Sequence, residues 1–151
     1  MISTNDIKNI LIKAVKANPI LGVIPEIVKD KHKPVTKEDV KERVVVVVNA
    51  SDNSDWQQTY ARFCVYVPDI KDVYAEGKSY LIPNAPRLNV LEKECNKMFF
   101  RRTIIEHEGQ TLYYKLEDIV QEEDPETWSH FLNVQAGGDT KLKGESQWLT
   151  I

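Results

Sequence analysis

Three histidines and two cysteines are the residues of this chain best suited to acid–base, metal or nucleophilic chemistry, and their spacing brings none of them together. His32, His107 and His130 lie on separate segments, with no HExxH and no ligand pair at the spacing a helix or hairpin uses to hold zinc. A metal centre would have to be assembled from distant residues. Cys64 and Cys95 have neither metal-ligand nor redox spacing. They fall on different expected elements, so a disulfide is geometrically open, but reduced thiols packed in the core are the simpler expectation. Cys64 acting as a nucleophile needs a neighbouring base that the local sequence does not supply. Glu92 and Glu94 stand two apart on an expected helix and point away from each other rather than sharing a proton. Glu106 and Glu108 share a strand face beside a turn, where solvation is the ordinary state. No GxSxG elbow or phosphate-cradling glycine loop is present. The expectation is no catalytic residue, no cofactor and no metal.

The elements around these residues carry the stronger signal. Val44 to Val48 is a continuous β-branched run, the pattern of a strand covered on both faces. The segment Thr59 to Pro68 alternates instead. Ala61, Phe63, Val65 and Val67 share one face; Tyr60, Arg62, Cys64 and Tyr66 share the other. Between the two strands, Asn49 to Asp55 is a cluster of turn-forming polar residues, read as the long loop of a β-hairpin with Trp56 on its far shoulder. Tyr60, Arg62 and Tyr66 on the strand, with Asp52, Asn53 and Trp56 at the tip, are the candidate protein-interface residues, because aromatic and Arg side chains are enriched at interfaces. The alternative is that the strand's rings lie under a helix as core material.

Around the hairpin, Ile7, Ile10, Leu11, Ala14 and Val15 recur at helical spacing, with Thr4 or Asn5 as cap and Asn18-Pro19 as stop. A short edge strand is expected near Val23 to Val28, and a loop through Thr36 to Asp39. Asp69 to Ala85 reads as a linker with at most a helical turn around Ile70 to Tyr74. Asn84 caps the clearest helix, whose apolar stripe is Leu88, Leu91, Cys95, Met98 and Phe99. Thr103 to Glu106 and Thr111 to Leu116 form a hairpin about Glu108-Gly109-Gln110. Gln121 to Glu126 is expected to be an acidic turn, and Trp128 to Gln135 a last strand ended by Gly137-Gly138. The fold class that follows is α+β: a mostly antiparallel sheet with a long central β-hairpin, packed by two main helices. It forms one domain over 1–138, with 139–151 a flexible tail.

Composition agrees with a globular domain. A chain of 151 residues falls near the common domain size of about 100 to 150. The net charge of −3 disfavours a general nucleic-acid binder, which is usually basic. Charge is uneven along the chain: nine Lys and Arg against six Asp and Glu through Ala50, then eleven against seventeen. Such a split suits contacts between copies. No apolar run approaches the ~20 residues that span a bilayer, and Met1 to Asp6 lacks the start of a secretory signal, so an intracellular protein is expected.

Taken in order, Val44 to Asn49, then Ala61-Arg62-Phe63-Cys64-Val65-Tyr66-Val67-Pro68-Asp69, then Pro83-Asn84-Ala85-Pro86-Arg87-Leu88 opening a helix, the chain resembles the tail-terminator and tail-completion (head–tail joining) proteins of long-tailed bacteriophages. The likeness runs from the first helix to about Val134. It implies a non-catalytic structural protein that forms a homo-oligomeric ring, commonly a hexamer, capping the tail tube and docking the head connector. It further implies residence in the bacterial host cytoplasm during assembly and then in the virion tail, with no membrane and no direct nucleic-acid recognition. Two other readings remain beside it: a small dimeric α+β domain that binds a protein or small ligand, and an enzyme with a site near His107, Glu106 and the last strand.

Overall fold

The computed structural model describes residues 3–31, 36–51, 56–73, 79–99, 103–107 and 110–141. The first helix, α1 (Thr4–Ala17), begins one residue earlier than the expected caps allow: Ser3 Oγ accepts from the Asp6 amide at 3.1 Å, satisfying one of the free amides of the first turn. Ile7, Leu11 and Val15 are buried on one side of the helix. Asn18 ends it, and its Oδ1 accepts from both Ile20 and Leu21 amides, turning the chain into a short 3-10 segment, Leu21–Val23. Gly22 is required there, because a Cβ would stand 2.3 Å from the Lys16 carbonyl oxygen.

Among the described residues eight strands follow: β1 (Glu26–Lys29), β2 (Arg43–Ser51), β3 (Trp56–Pro68), β4 (Ile70–Val73), β5 (Ser79–Ile82), β6 (Thr103–His107), β7 (Gln110–Asp124) and β8 (Ser129–Lys141), with α2 (Ala85–Phe99) between β5 and β6. Six strands make one sheet in the order β1-β2-β3-β8-β7-β6. Among the described residues, β1 and β2 pair in parallel and the other ladders of this sheet are antiparallel. The fold is therefore α+β, with the β2–β3 hairpin and β8 at the centre of the sheet.

The alternation expected for β3 is observed. Ala61, Phe63, Val65 and Val67 join Val44, Val46, Val48, Leu132, Val134 and Ala136 in one core. Ile7, Leu11 and Val15 of α1 and Leu88, Leu91 and Cys95 of α2 belong to the same cluster, so both helices cover the same face. Burying such side chains stabilises by about 1.5–3 kcal/mol each. The valine run is covered differently from expectation. On the far face, no described helix lies over Val45 and Val47; Val45 is buried by a small cluster with Cys64 and Tyr66, flanked by Val28, Val47 and Phe131.

Four expectations from the sequence change. The hairpin strands are longer, pairing Asn49 with Tyr60, Ala50 with Thr59 and Ser51 with Gln58, so much of the expected loop is ladder. The linker after Asp69 contains a two-stranded sheet, Ile70–Val73 with Ser79–Ile82. The acidic Gln121 to Asp124 is strand rather than turn, because it pairs with Ser129 to Leu132 of β8; the turn is the 3-10 segment Pro125–Thr127, closed by Trp128 at φ 49°. Gly137-Gly138 does not end β8, which continues to Lys141, past the expected domain boundary at 138. Asp52 and Asn53 and Glu108-Gly109 lie outside the described residues, as does the tail from 142.

Candidate functional site

The face of the sheet opposite the helices is built in rows by strand register. Lys115, Gly137 and Tyr60 lie side by side on β7, β8 and β3. Next come Asp118, Gln135 and Arg62, then Val120, Asn133 and Cys64, then Glu122, Phe131 and Tyr66. The bulge between Leu116 and Asp118 produces this arrangement: Glu117 is the extra residue, and everything after it is shifted onto the opposite side of the pleat. Glu117 folds back across Gly137, where a Cβ would come within 2.5 Å of its Oε1.

Burial grades along these rows. Tyr60 is 49% exposed and Val120 40%, and Arg62, Asp118 and Glu122 are exposed as well. Tyr66 is only 8% exposed. Its ring stacks on Phe131 with centroids 4.6 Å apart, near the usual separation for offset aromatic pairs. The three interface candidates on β3 thus share a face turned away from both helices, which removes the reading in which they lie beneath α2; Tyr66 nonetheless packs as core of the smaller cluster. Trp56 is the first residue of β3, paired with Lys141.

A groove of about 230 Å³ runs between Arg62, Cys64, Tyr66, Phe131 and Asn133. Burial pushes the Cys64 thiol up, with the neighbouring Arg62 acting against that shift. Tyr66 is also raised, first by burial and then by nearby Cys64 and Asp124. Both groups are therefore neutral at ordinary pH. Asn133 donates from Nδ2 to Glu122 Oε2 at 3.0 Å, while its buried Oδ1 has no hydrogen-bond donor among the described residues.

The residues best suited to acid–base chemistry are placed apart. His130 Nδ1 lies 2.6 Å from Asp69 Oδ1, joining the start of β8 to the end of β3. Asp69 borders a surface cleft of about 480 Å³, together with Lys37, Lys71, Leu81 and Trp128. Cys64 and Cys95 are free thiols in separate clusters on the two sides of the sheet. Among the described residues, no three His, Cys, Asp or Glu side chains converge as metal ligands. His107 is in β6, but its side chain and that of Glu106 lie outside the described residues.

The β7 members of the face, Lys115, Asp118, Val120 and Glu122, are not among the residues singled out from sequence. Their signal was the alternation of Ile119 with its neighbours, hidden by the density of acidic residues.

Comparison with known protein families gives no match, and comparison with curated proteins gives none either. One solved structure, of a protein whose designation states no function, is similar over 91% of this chain and 92% of its own, with a TM-score of 0.56 and 11% identity. That likeness is one of fold.

Proposed function

We propose that this protein is a non-catalytic structural subunit of a long-tailed bacteriophage or prophage, of the tail-terminator or head–tail-joining type. It associates with copies of itself into a ring, of six subunits by the family resemblance. The ring caps the tail tube and receives the head connector, in the host cytoplasm during assembly and in the virion tail afterwards. One observation carries the reading: a six-stranded sheet has both helices on one face and leaves the other with exposed Tyr60, Arg62 and Val120. A bare sheet face combining rings, a guanidinium and apolar side chains is the composition of a protein-contact surface. The ordered motifs at Val44 to Asn49, Ala61 to Asp69 and Pro83 to Leu88 add the resemblance to tail proteins. Among the described residues no helix is long and apolar enough to cross a membrane.

The test is reconstitution. Purified protein is mixed with tail tubes assembled without it, and tube ends are imaged by negative-stain electron microscopy. Rings at one end, with tubes of uniform length, are expected. Bare tube ends at saturating protein, with no incorporation into virions, would overturn the role.

A further inference from the structure

The surface cleft of about 480 Å³ beside Asp69 is within the range of small-ligand sites, about 300 to 1,000 Å³. One of its walls is the 3-10 segment Lys37–Asp39 and the other is the β4–β5 ribbon, both outside the six-stranded sheet. We infer that this cleft binds a free amino acid with a large apolar side chain. Asp69 and Glu38 hold its ammonium, and Lys37 and Lys71 hold its carboxylate. The site goes beyond the tail role and shares no residue with the rows of the helix-free face.

The charges around the cleft call for a ligand that carries both signs. Each wall offers one ammonium and one carboxylate, Lys37 with Glu38 and Lys71 with Asp69. Lys37, Glu38 and Lys71 are exposed and form no ion pair among the described residues. Asp69 is different. Its side chain is 8% exposed, and its Oδ1 is held 2.6 Å from His130 Nδ1. Its Oδ2 has no hydrogen-bond donor among the described residues, a costly state for a carboxylate taken out of water. A ligand ammonium supplies that donor as a charge-assisted bond, roughly twice as strong as a neutral one. A purely anionic ligand would be opposed by Asp69 and Glu38, and a purely cationic one by Lys37 and Lys71. A zwitterion meets neither opposition.

Between the charges the lining is apolar, from Val40, Leu81 and Trp128, each half-buried. Leu81 is set there by its pairing with Lys71, which puts both side chains on one face of the ribbon. Trp128 is set there by its backbone. Its φ of 49° is left-handed, a conformation that a bulky residue keeps only where its surroundings impose it. Its amide donates to the Pro125 carbonyl at 3.4 Å, and its carbonyl accepts from the Asp69 amide at 2.9 Å. The second bond joins the residue that carries the indole to the residue that carries the buried carboxylate. A side chain of the size of leucine or phenylalanine then has apolar walls to bury against.

Isothermal titration calorimetry of the full chain with L-phenylalanine tests the site. One molecule per chain is expected to bind, with saturation below about 10 mM. Glycine has both charges and no side chain, and should bind more weakly by about tenfold or more. Phenylalaninamide lacks the carboxylate and N-acetylphenylalanine the ammonium; each should likewise lose about tenfold or more. Lys71→Gln and Glu38→Gln alter exposed rim charges, so unchanged melting curves should verify the fold of each variant. Each should weaken phenylalanine binding by about threefold or more. No saturable binding of phenylalanine overturns the inference, as does glycine or either blocked derivative binding as tightly. Phenylalanine binding left unchanged by both variants overturns it too. Each of these results leaves the tail role standing, since that role is read from tube ends and virions.

Discussion

Arg87 and Glu42 are joined by two parallel hydrogen bonds, Nε to Oε2 at 2.7 Å and Nη2 to Oε1 at 2.9 Å. The pair ties the first turn of α2 to the residue just before β2, two elements far apart in sequence that must lie on the same side of the sheet. The bond to Glu42 holds the Arg87 guanidinium above its ordinary value. At the other end of α2, Glu94 Oε1 accepts from Asn18 Nδ2 at 3.0 Å, tying the helix to the end of α1. The two clasps fix the helix layer against which the sheet packs.

Arg87→Lys should lower stability by about 1 kcal/mol, because an ammonium cannot match the carboxylate with two bonds. For a domain of this size that corresponds to a melting temperature lower by roughly 2–4 °C. Thermal denaturation of the variant beside Glu42→Gln checks it, and the double variant should lose less than the sum of the two.

Val46 is fully buried and pairs with Phe63 at the centre of the core. Val46→Asp should abolish folding, since an unpaired buried charge costs several kcal/mol against a total stability of about 5 to 15. Circular dichroism and urea titration read this directly; a normally melting variant would mean that the strand register is different.

Tyr66 and Arg62 lie on the same strand face yet should behave differently. Tyr66→Ala removes a ring stacked on Phe131 and leaves a void over Val45, so it should lower stability by about 2 to 4 kcal/mol. Arg62→Ala, at an exposed position, should change stability by less than about 0.5 kcal/mol. Urea unfolding of the two variants at a concentration low enough to prevent association separates the effects. Equal losses would place Arg62 in the smaller cluster instead.

Burial pushes the Cys95 thiol from 9.0 up to about 12, helped by nearby Glu94 and Glu92. The unfolded chain therefore loses this proton at lower pH than the folded one does. The contribution is fully present below pH 9 and is lost as pH rises towards 12, with a slope of roughly 1.4 kcal/mol per pH unit within that window. Cys95→Ala should flatten the alkaline fall in stability while lowering stability at pH 7 through the cavity it leaves. Urea midpoints between pH 7 and 11 check the sign: a wild type whose stability holds steady above pH 9 would contradict the buried thiol.

Features set by local stereochemistry were legible in the sequence. The apolar spacing of Ile7, Leu11 and Val15 needs only a helix to define a buried stripe. The alternation from Tyr60 to Val67 needs only a strand to define two faces. Asn84 accepts from the Arg87 amide at 3.4 Å as a cap does. The misreadings fall where pairing with a distant strand outweighs local propensity. Gln121 to Asp124 looks like a turn by composition but is held as strand by β8. Gly137 looks like a strand end but lies inside the ladder, paired with Tyr60 and with Lys115. Ile70 to Val73 becomes a strand because Ser79 to Ile82 folds back onto it.

The sequence by itself determined which side chains of the central hairpin share a face, because the pleat alternates whatever the strand pairs with. It also determined that both helices have one apolar side. Only the tertiary structure decided that the two helices cover the same side, leaving Tyr60 and Arg62 bare. Only the tertiary structure, too, set Arg62, Gln135 and Asp118 in one row. Strand order and register come from hydrogen bonds between segments far apart in the chain, shifted here by a single bulged residue, and no local pattern records where those ladders begin.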